Sequence, residues 1–306
     1  MRVCSIDIGT NTTLLLVAEH NGSDLVPVHE EATITRLGQG VDATKRLAPE
    51  AIDRTIACLE RYRDAAALHG AGKFRIAGTS AMRDAAGAEI VQAAVERLFG
   101  VKAEVLSGDE EALCTFGGAL SGLGFAKDSD VVVFDIGGGS TEFVRGAPGQ
   151  RPSFAKSFDV GSVRMTERHI KSDPPKQAEI DAARADIARV FDALPRDAKP
   201  GPGAKVVGIA GTVTTFAAMS QQLRAYDANK VHGSKLSRDS IESLVDMLSR
   251  TPLDARKHIV GLDPKRADVI MAGGLVLLGC LDVLHASELV VSDRGVRWGL
   301  AASLVQ

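Results

Sequence analysis

The first apolar run of the chain, "RVCSIDIG" (2–9), reads as a strand, and a second, "TTLLLVAEH" (12–20), follows after a gap too short for anything but a tight turn at Gly9 and Asn11. The pattern then changes period. Residues 47–70 space their apolar positions as a helix does, with Pro49 near the start and Gly70 at the end. A strand running into a loop is predicted at "KFRIAGTS" (73–80), a helix at 85–100, a fourth strand at "KAEVLSG" (102–108), and a further helix after Ser107.

At 130 the pattern restarts. Strand "DVVVFDIG" (130–137), a turn, strand "TEFVRG" (141–146) and another strand near 153–160 are followed by a helix over 178–194. A Pro/Gly loop leads into a strand ending at "GIAG" (208–211), and "TVTTFAA" opens a helix. Helices near 238–249 and 264–285, strand "ELVVSD" (288–293) and a closing helix "GVRWGLAASLV" (295–305) complete the chain. Strands alternating with helices, begun twice, predict two α/β domains of related plan. The phrase "DIGTNTTLLLV" (7–17) returns 128 residues later as "DIGGGSTEFV" (135–144), so the two are expected to be matching hairpins.

Composition narrows the function classes. With 45% hydrophobic and 25% charged residues among 306, the chain has the apolar mass of an ordinary globular protein. A net charge of −3 gives no global basic face for nucleic acid. The longest apolar run (269–281) is too short to span a bilayer and suits a buried helix. Cys4, Cys58, Cys114 and Cys280 are scattered, which fits buried thiols in a reducing cytoplasm better than disulfides, zinc or an iron–sulfur cluster. No secretory leader is expected, since a β-like run begins within three residues.

Glycine-rich turns between strands expose successive backbone N–H groups, and such concavities bind phosphate without net positive charge; glycine also permits positive φ there. Three segments qualify: 9–13 (Gly9, Asn11, Thr12), 137–141 (Gly137, Gly138, Gly139, Ser140) and 208–215 (Gly211, Thr212), the last also leading into a helix start. Asp7 and Asp135 end strands just before two of these turns, where a carboxylate can hold Mg²⁺ or simply cap its own loop. Glu142 stands where the first copy has Leu14, and either serves the chemistry or faces solvent.

In "LSGDEEALC" (106–114), Ser107 and Glu110 form a capping box, which leaves Glu111 in the first helical turn as a candidate base for a water, or as a surface acid. Arg83 could neutralise phosphate; Arg164 and Arg266 are weaker candidates, read first as structural ion-pair residues.

Together these segments resemble the exopolyphosphatase / guanosine pentaphosphate phosphatase (Ppx/GppA) family. The pieces that carry the likeness are "DIGTNTTLLLV", "RLGQG" (36–40), "AGTSAMRDA" (77–85), "LSGDEEA" (106–112), "VFDIGGGSTEFV" (133–144), "GSVRMTERH" (161–169), "GIAGTVTT", "RADVI" (266–270) and "SDRGVRWG" (292–299), in family order. The resemblance implies two duplicated actin/hexokinase-like (ribonuclease H-like) α/β domains around a central cleft. Their expected boundaries are 1–112 with 288–306, the closing helix returning to the first domain, and 113–287. It implies Mg²⁺-dependent hydrolysis of a terminal phosphoanhydride, with Glu111 as the base, Asp135 and Glu142 in metal and water-ordering roles, and Asn11 and Arg83 facing phosphate.

Two departures stand out. The His-Asp-containing C-terminal helical region of longer members has no counterpart here, which suggests a preference for short polyphosphates. Trp298 occupies a position where Glu is common, a change expected to affect packing of the last helix. The expected partner is inorganic polyphosphate or, alternatively, guanosine pentaphosphate (pppGpp), with no nucleic acid and no membrane, and with a homodimer allowed for. The scarcity of aromatics, 13 in all and none in the quoted loops, tilts the reading towards polyphosphate. An actin-like-fold kinase and a non-catalytic phosphate sensor are the readings of other classes.

Overall fold

The computed structural model describes residues 1–22, 25–201 and 203–305. Contacts divide the chain into two units, Met1–Gly118 with Val296–Gln306, and Ala119–Gly295.

Unit 1 contains strands β1 (Arg2–Ile8), β2 (Thr12–His20) and β3 (Leu25–Ile34), helices α1 (Val41–Thr44) and α2 (Pro49–Leu68), strand β4 (Lys73–Gly78), helices α3 (Ser80–Asp84) and α4 (Ala88–Phe99), strand β5 (Glu104–Val105) and all but the last two residues of helix α5 (Gly108–Leu120). Unit 2 contains β6 (Val131–Ile136), β7 (Thr141–Gly146), β8 (Phe154–Phe158), α6 (Ser162–His169), α7 (Gln177–Phe191), β9 (Lys205–Ile209), α8 (Ala210–Ser220), α9 (Ala228–Val231), β10 (Lys235–Ser237), α10 (Arg238–Arg250), α11 (Leu253–Arg256), α12 (Ile270–Leu284) and β11 (Glu288–Val291). The chain then returns to unit 1 as α13 (Val296–Ser303).

The duplication is explicit in the topology. The unit 1 sheet has the order β3-β2-β1-β4-β5, and unit 2 repeats it as β8-β7-β6-β9-β11, with β10 added outside β11. In each, two antiparallel pairings are followed by a parallel crossover from the central strand. This is the duplicated α/β plan of the actin/hexokinase-like class. The central strands β1 and β6 are buried along almost their whole length, and a strand covered on both faces is written as a nearly continuous apolar run. That is why "VCSIDI" and "VVVFDI" lack alternation, and why an Asp within them stands out.

The helices follow the usual amphipathic logic. On α2 the buried positions Ile52, Thr55, Leu59, Tyr62 and Ala66 fall on one stripe, and the Tyr62 hydroxyl donates to Thr13 O and contacts Thr33 Oγ1, both at 2.9 Å. The apolar run at 269–281 forms the buried helix α12, packed on α6, α7 and α10. Trp298 on α13 sits in a core cluster with Val3, Leu16, Ala18 and Ala301, so its place in the fold is one of packing. Among the described residues no helix is long and apolar enough to cross a membrane.

Gly299 shows how closely α13 is seated: a Cβ there would lie 1.9 Å from the carbonyl oxygen of Cys114, a backbone atom of α5. Gly299→Ala is therefore expected to destabilise unit 1 by about 1–3 kcal/mol, as overpacking does. A thermal denaturation midpoint unchanged from the parent would refute that packing.

Several elements differ from the sequence reading. The strand expected over 102–108 shrinks to Glu104–Val105, because it pairs only with Ala77–Gly78 before Ser107 begins the helix cap. The loop expected after β4 is the short helix α3, which carries Arg83. The segment 208–215 is not a loop: β9 ends at Ile209 and α8 starts at Ala210, which takes up the sharp change of direction with φ of +67°. The helix placed at 264–285 begins at Ile270, since Pro264–Arg266 form a 3₁₀ turn capped by the Asp263 carboxylate on Lys265 N–H. The short polar strand β10 pairs with β11 and carried no apolar signal of its own.

Candidate active site

The two repeated phrases are matching β-hairpins in detail. Asp7 pairs across the ladder with Leu14, and Asp135 with Glu142. Each turn is closed by the same backbone bond, Gly9 N–H to Thr12 O at 3.1 Å and Gly137 N–H to Ser140 O at 3.0 Å. Glycine is required at position 9 for closeness and not for positive φ as expected. Neither Gly9, Gly137 nor Gly211 adopts the left-handed region, but a Cβ on Gly9 would lie 2.7 Å from Thr12 O.

In unit 1 the segment "TRLG" (35–38) holds the turn. Gly38 N–H donates to Thr10 O at 2.8 Å, and the N–H groups of Thr35 and Arg36 donate to Asn11 O at 3.1 and 3.0 Å. Because a trans peptide sets C=O and the following N–H antiparallel, fixing Thr10 O turns the Asn11 N–H away from that segment. The Asn11 side chain is buried, and among the described residues its Nδ2 makes no hydrogen bond. A buried amide donor in that condition carries a cost that an anionic ligand would remove. Arg36 holds a left-handed backbone (φ +53°), a strained state for a non-glycine residue.

In unit 2 the same function falls to α6. Ser162 N–H donates to Gly137 O, the N–H groups of Val163 and Arg164 donate to Gly138 O, and Arg164 Nε donates to Gly139 O at 2.6 Å. Asp135 and Glu142 are both buried, the latter only 1% exposed, so the solvent-facing option for Glu142 is excluded. Ser157 Oγ donates to Glu142 Oε1 at 2.6 Å. Thr212 is buried at the start of α8, where its side chain meets Gly273 of α12. Gly211 is covered by Arg266, whose Nη1 lies 2.1 Å from where a Cβ would stand.

The paired acids on α5 separate as their spacing predicts. Glu110 accepts from Ser107 N–H at 2.9 Å and Ser107 Oγ at 2.8 Å, while its own N–H donates back to Ser107 Oγ at 3.2 Å. Those bonds, the backbone one first, hold the Glu110 carboxyl below the usual carboxylate range. Glu111 is 6% exposed and its Oε2 lies 3.1 Å from Arg83 Nη1, so it is not the surface acid that spacing alone allowed. Arg83 also donates to Leu106 O at 2.9 Å, and Asp84 lies 3.6 Å from its Nε. Within unit 1, then, the structure brings the Glu111 and Arg83 side chains into contact.

The Ppx/GppA phosphatase family model matches residues 16–306. The chain belongs to the Ppx/GppA phosphatase family. It is 38% identical to exopolyphosphatase 2 of Mycobacterium tuberculosis over 99% of this chain and 98% of that one. It is 27% identical to the guanosine-5′-triphosphate,3′-diphosphate pyrophosphatase of Vibrio atlanticus, over 98% of this chain and 59% of that one. The crystal structure of the Aquifex aeolicus Ppx/GppA member superposes with a TM-score of 0.81 at 32% identity, covering 100% of this chain and 97% of that one. As a Ppx/GppA phosphatase, the chain is a hydrolase of phosphoanhydrides.

Whether the residues of this phosphatase suit a metal can be judged from the donors. Among the described residues no group of three or more His, Cys, Asp or Glu gathers as a protein-only metal cage. Mg²⁺ does not need one, since it is commonly held by one or two carboxylates with water and phosphate oxygens. Two buried carboxylates directly opposite on neighbouring strands, Asp135 and Glu142, repel one another, and a divalent cation offsets that repulsion. Asp7 stands opposite Leu14 on β2 and Ala77 on β4, neither of which supplies a second carboxylate. The donor set in unit 2 therefore fits Mg²⁺ better than that in unit 1.

Sequence reasoning gave too little weight to Arg266, the "TRLG" segment and α6. Each lies against a distant part of the chain, the "TRLG" segment and α6 against the two turns and Arg266 against the start of α8, and only the family likeness of "RLGQG", "GSVRMTERH" and "RADVI" marked them.

Proposed function

We propose that this chain hydrolyses the terminal phosphoanhydride of inorganic polyphosphate and releases orthophosphate, with Mg²⁺ as cofactor. The observation that carries the reading is the pair of equivalent turns whose carbonyls are tied back by hydrogen bonds, leaving main-chain N–H groups to bind phosphoryl oxygens. Asn11 and Thr12 serve the first turn, Gly137 to Ser140 the second, and the start of α8 at Gly211 and Thr212 supplies a helix N-terminus of the same preference.

Glu111 takes the proton of the attacking water; the water oxygen bonds to the terminal phosphorus and the bridging P–O bond breaks towards the shortened chain. Arg83 orients Glu111 and presents positive charge to phosphate. Asp135, with Asp7 as a weaker second, would hold Mg²⁺, and Glu142 orders water beside it. When bound, Mg²⁺ neutralises charge developing on the transferred group. The similarity to a named exopolyphosphatase along nearly the full length supports polyphosphate over pppGpp, on which the more distant Vibrio relative acts by name.

The deciding assay measures phosphate release from short polyphosphate, long polyphosphate and pppGpp, each with and without Mg²⁺. The expected result is Mg²⁺-dependent release, fastest from short polyphosphate. Faster release from pppGpp would replace the substrate, and faster release from chains of hundreds of units would overturn the chain-length preference.

A further inference from the structure

The carbonyls of the second turn all face one way. Gly137 O accepts from Ser162 N–H at 3.0 Å, Gly138 O from Val163 N–H at 2.9 Å and Arg164 N–H at 3.1 Å, and Gly139 O from Arg164 Nε at 2.6 Å. Three consecutive peptide oxygens are thus held against the first turn of α6. A planar trans peptide then forces the N–H groups of Gly138, Gly139 and Ser140 to point away from α6. Those of Gly138 and Gly139 make no backbone hydrogen bond among the described residues. The seat is close: a Cβ on Gly161 would stand 2.4 Å from Gly138 O, so only glycine lets α6 approach.

Arg164 is the one side chain in this set that reaches the third carbonyl. It is 8% exposed, and its Nη2 lies 3.8 Å from Asp159 Oδ1. The far end of α6 is anchored as firmly. Asp186 of α7 receives His169 Nε2 at 2.9 Å and Arg168 Nη1 at 3.0 Å, and Arg189 Nη2 reaches its other oxygen at 2.6 Å. Burial opposes ionisation of Asp186, but these bonds prevail and hold its carboxyl well below the usual range. The helix is therefore fixed at both ends, and Arg164 is directed at the turn.

We infer that Arg164 is a positioning residue: by holding Gly139 O, it sets the peptide planes of the 137–140 turn so that their N–H groups face substrate phosphate. The inference rests on the reading of that turn as a phosphate binder. Arg164 itself touches no substrate. Its Nε faces the Gly139 carbonyl oxygen and its Nη2 the Asp159 carboxylate, and its contribution lies in preorganising donors that would otherwise have to reorient during the reaction.

The test compares wild type with Arg164→Ala and Arg164→Lys. Phosphate release from short polyphosphate is measured with and without added guanidinium. Hydrogen exchange of the 137–141 amides is followed with and without imidodiphosphate and Mg²⁺. The expected result for Arg164→Ala is a fall in kcat of about 10- to 100-fold, below the roughly 100- to 1,000-fold of removing a preorganised donor outright because the N–H groups remain and only their aim is lost, with a smaller change in KM. Guanidinium should restore part of that loss, whereas methylammonium should not. Imidodiphosphate should protect the turn amides in wild type, and protect them less in Arg164→Ala, with exchange elsewhere unchanged. Arg164→Lys, which keeps the charge but not the planar fork, should fall between the two.

Three results would overturn the inference: kcat within about threefold of wild type, too small for a lost preorganised donor; a rise in KM alone, which would make Arg164 a ligand; or faster exchange throughout unit 2 without guanidinium rescue, which would make its role one of stability. If imidodiphosphate protects no turn amide even in wild type, the phosphate reading of the turn has failed and the inference falls with it, a result distinct from the other three.

Discussion

Glu111→Gln is expected to lower turnover by about 100- to 10,000-fold, the range that a positioned general base contributes. The amide keeps the size of the side chain and can still lie beside Arg83, 3.1 Å away in the parent, but it cannot accept the proton of the attacking water. KM should stay within about threefold, because the lost interaction belongs to the transition state and not to ground-state binding. The control is Glu110→Gln, which weakens the bonds to Ser107 and should affect helix-cap stability more than turnover. Steady-state phosphate release by both variants decides the matter. Equal activity of Glu111→Gln and wild type would remove Glu111 from the mechanism.

The second large effect is expected at Asp135, with opposite signs in activity and stability. Asp135→Asn removes one of two buried carboxylates that face each other across β6 and β7. Since loss of even an outer partner of a metal ligand costs about 10- to 100-fold, activity at fixed Mg²⁺ should fall by at least that much and recover partly as Mg²⁺ is raised. In the presence of a chelator the same variant should be more stable than wild type, by up to about 1 kcal/mol, because the like-charge pair is gone. Thermal denaturation with and without Mg²⁺ reads this directly: wild type should gain stability on adding Mg²⁺, and Asp135→Asn should gain less. A variant that loses stability in chelator, or a wild type indifferent to Mg²⁺, would contradict the proposed metal role of the pair.

The site was legible in the sequence where residues act within a few positions of their neighbours. The Ser107–Glu110 capping box is such a case; it assigned one glutamate to the helix end and left the other open as a base or a surface acid, and the structure buries Glu111 beside Arg83. The paired turns were readable for the same reason, since closing bonds three residues long depend on local geometry alone. Where a segment depends on distant partners, the reading was less exact. The Gly- and Thr-rich segment 208–215 was read as a turn between a strand ending at 211 and a helix opening at 212, yet β9 passes directly into α8 two residues earlier, through a left-handed Ala210. Positive φ was expected of the turn glycines, but at Gly9 and Gly211 the demand is for room, set by Thr12 O and by the Arg266 guanidinium.

By itself the sequence determined the kind of most main elements, though it left out β3 and α6, together with the duplication of the α/β plan and the identity of the repeated turns. Periodicity, caps and turn residues are properties of neighbouring positions, and the continuous apolar runs of β1 and β6 already imply strands covered on both faces. Only the tertiary structure decided which way the turn amides point. That orientation depends on carbonyls held by residues 25 or so positions away, Thr35 to Gly38 for one turn and Ser162 to Arg164 for the other. Hydrogen bonds of that span are closed by the packing of whole elements, so no local pattern in the chain records them.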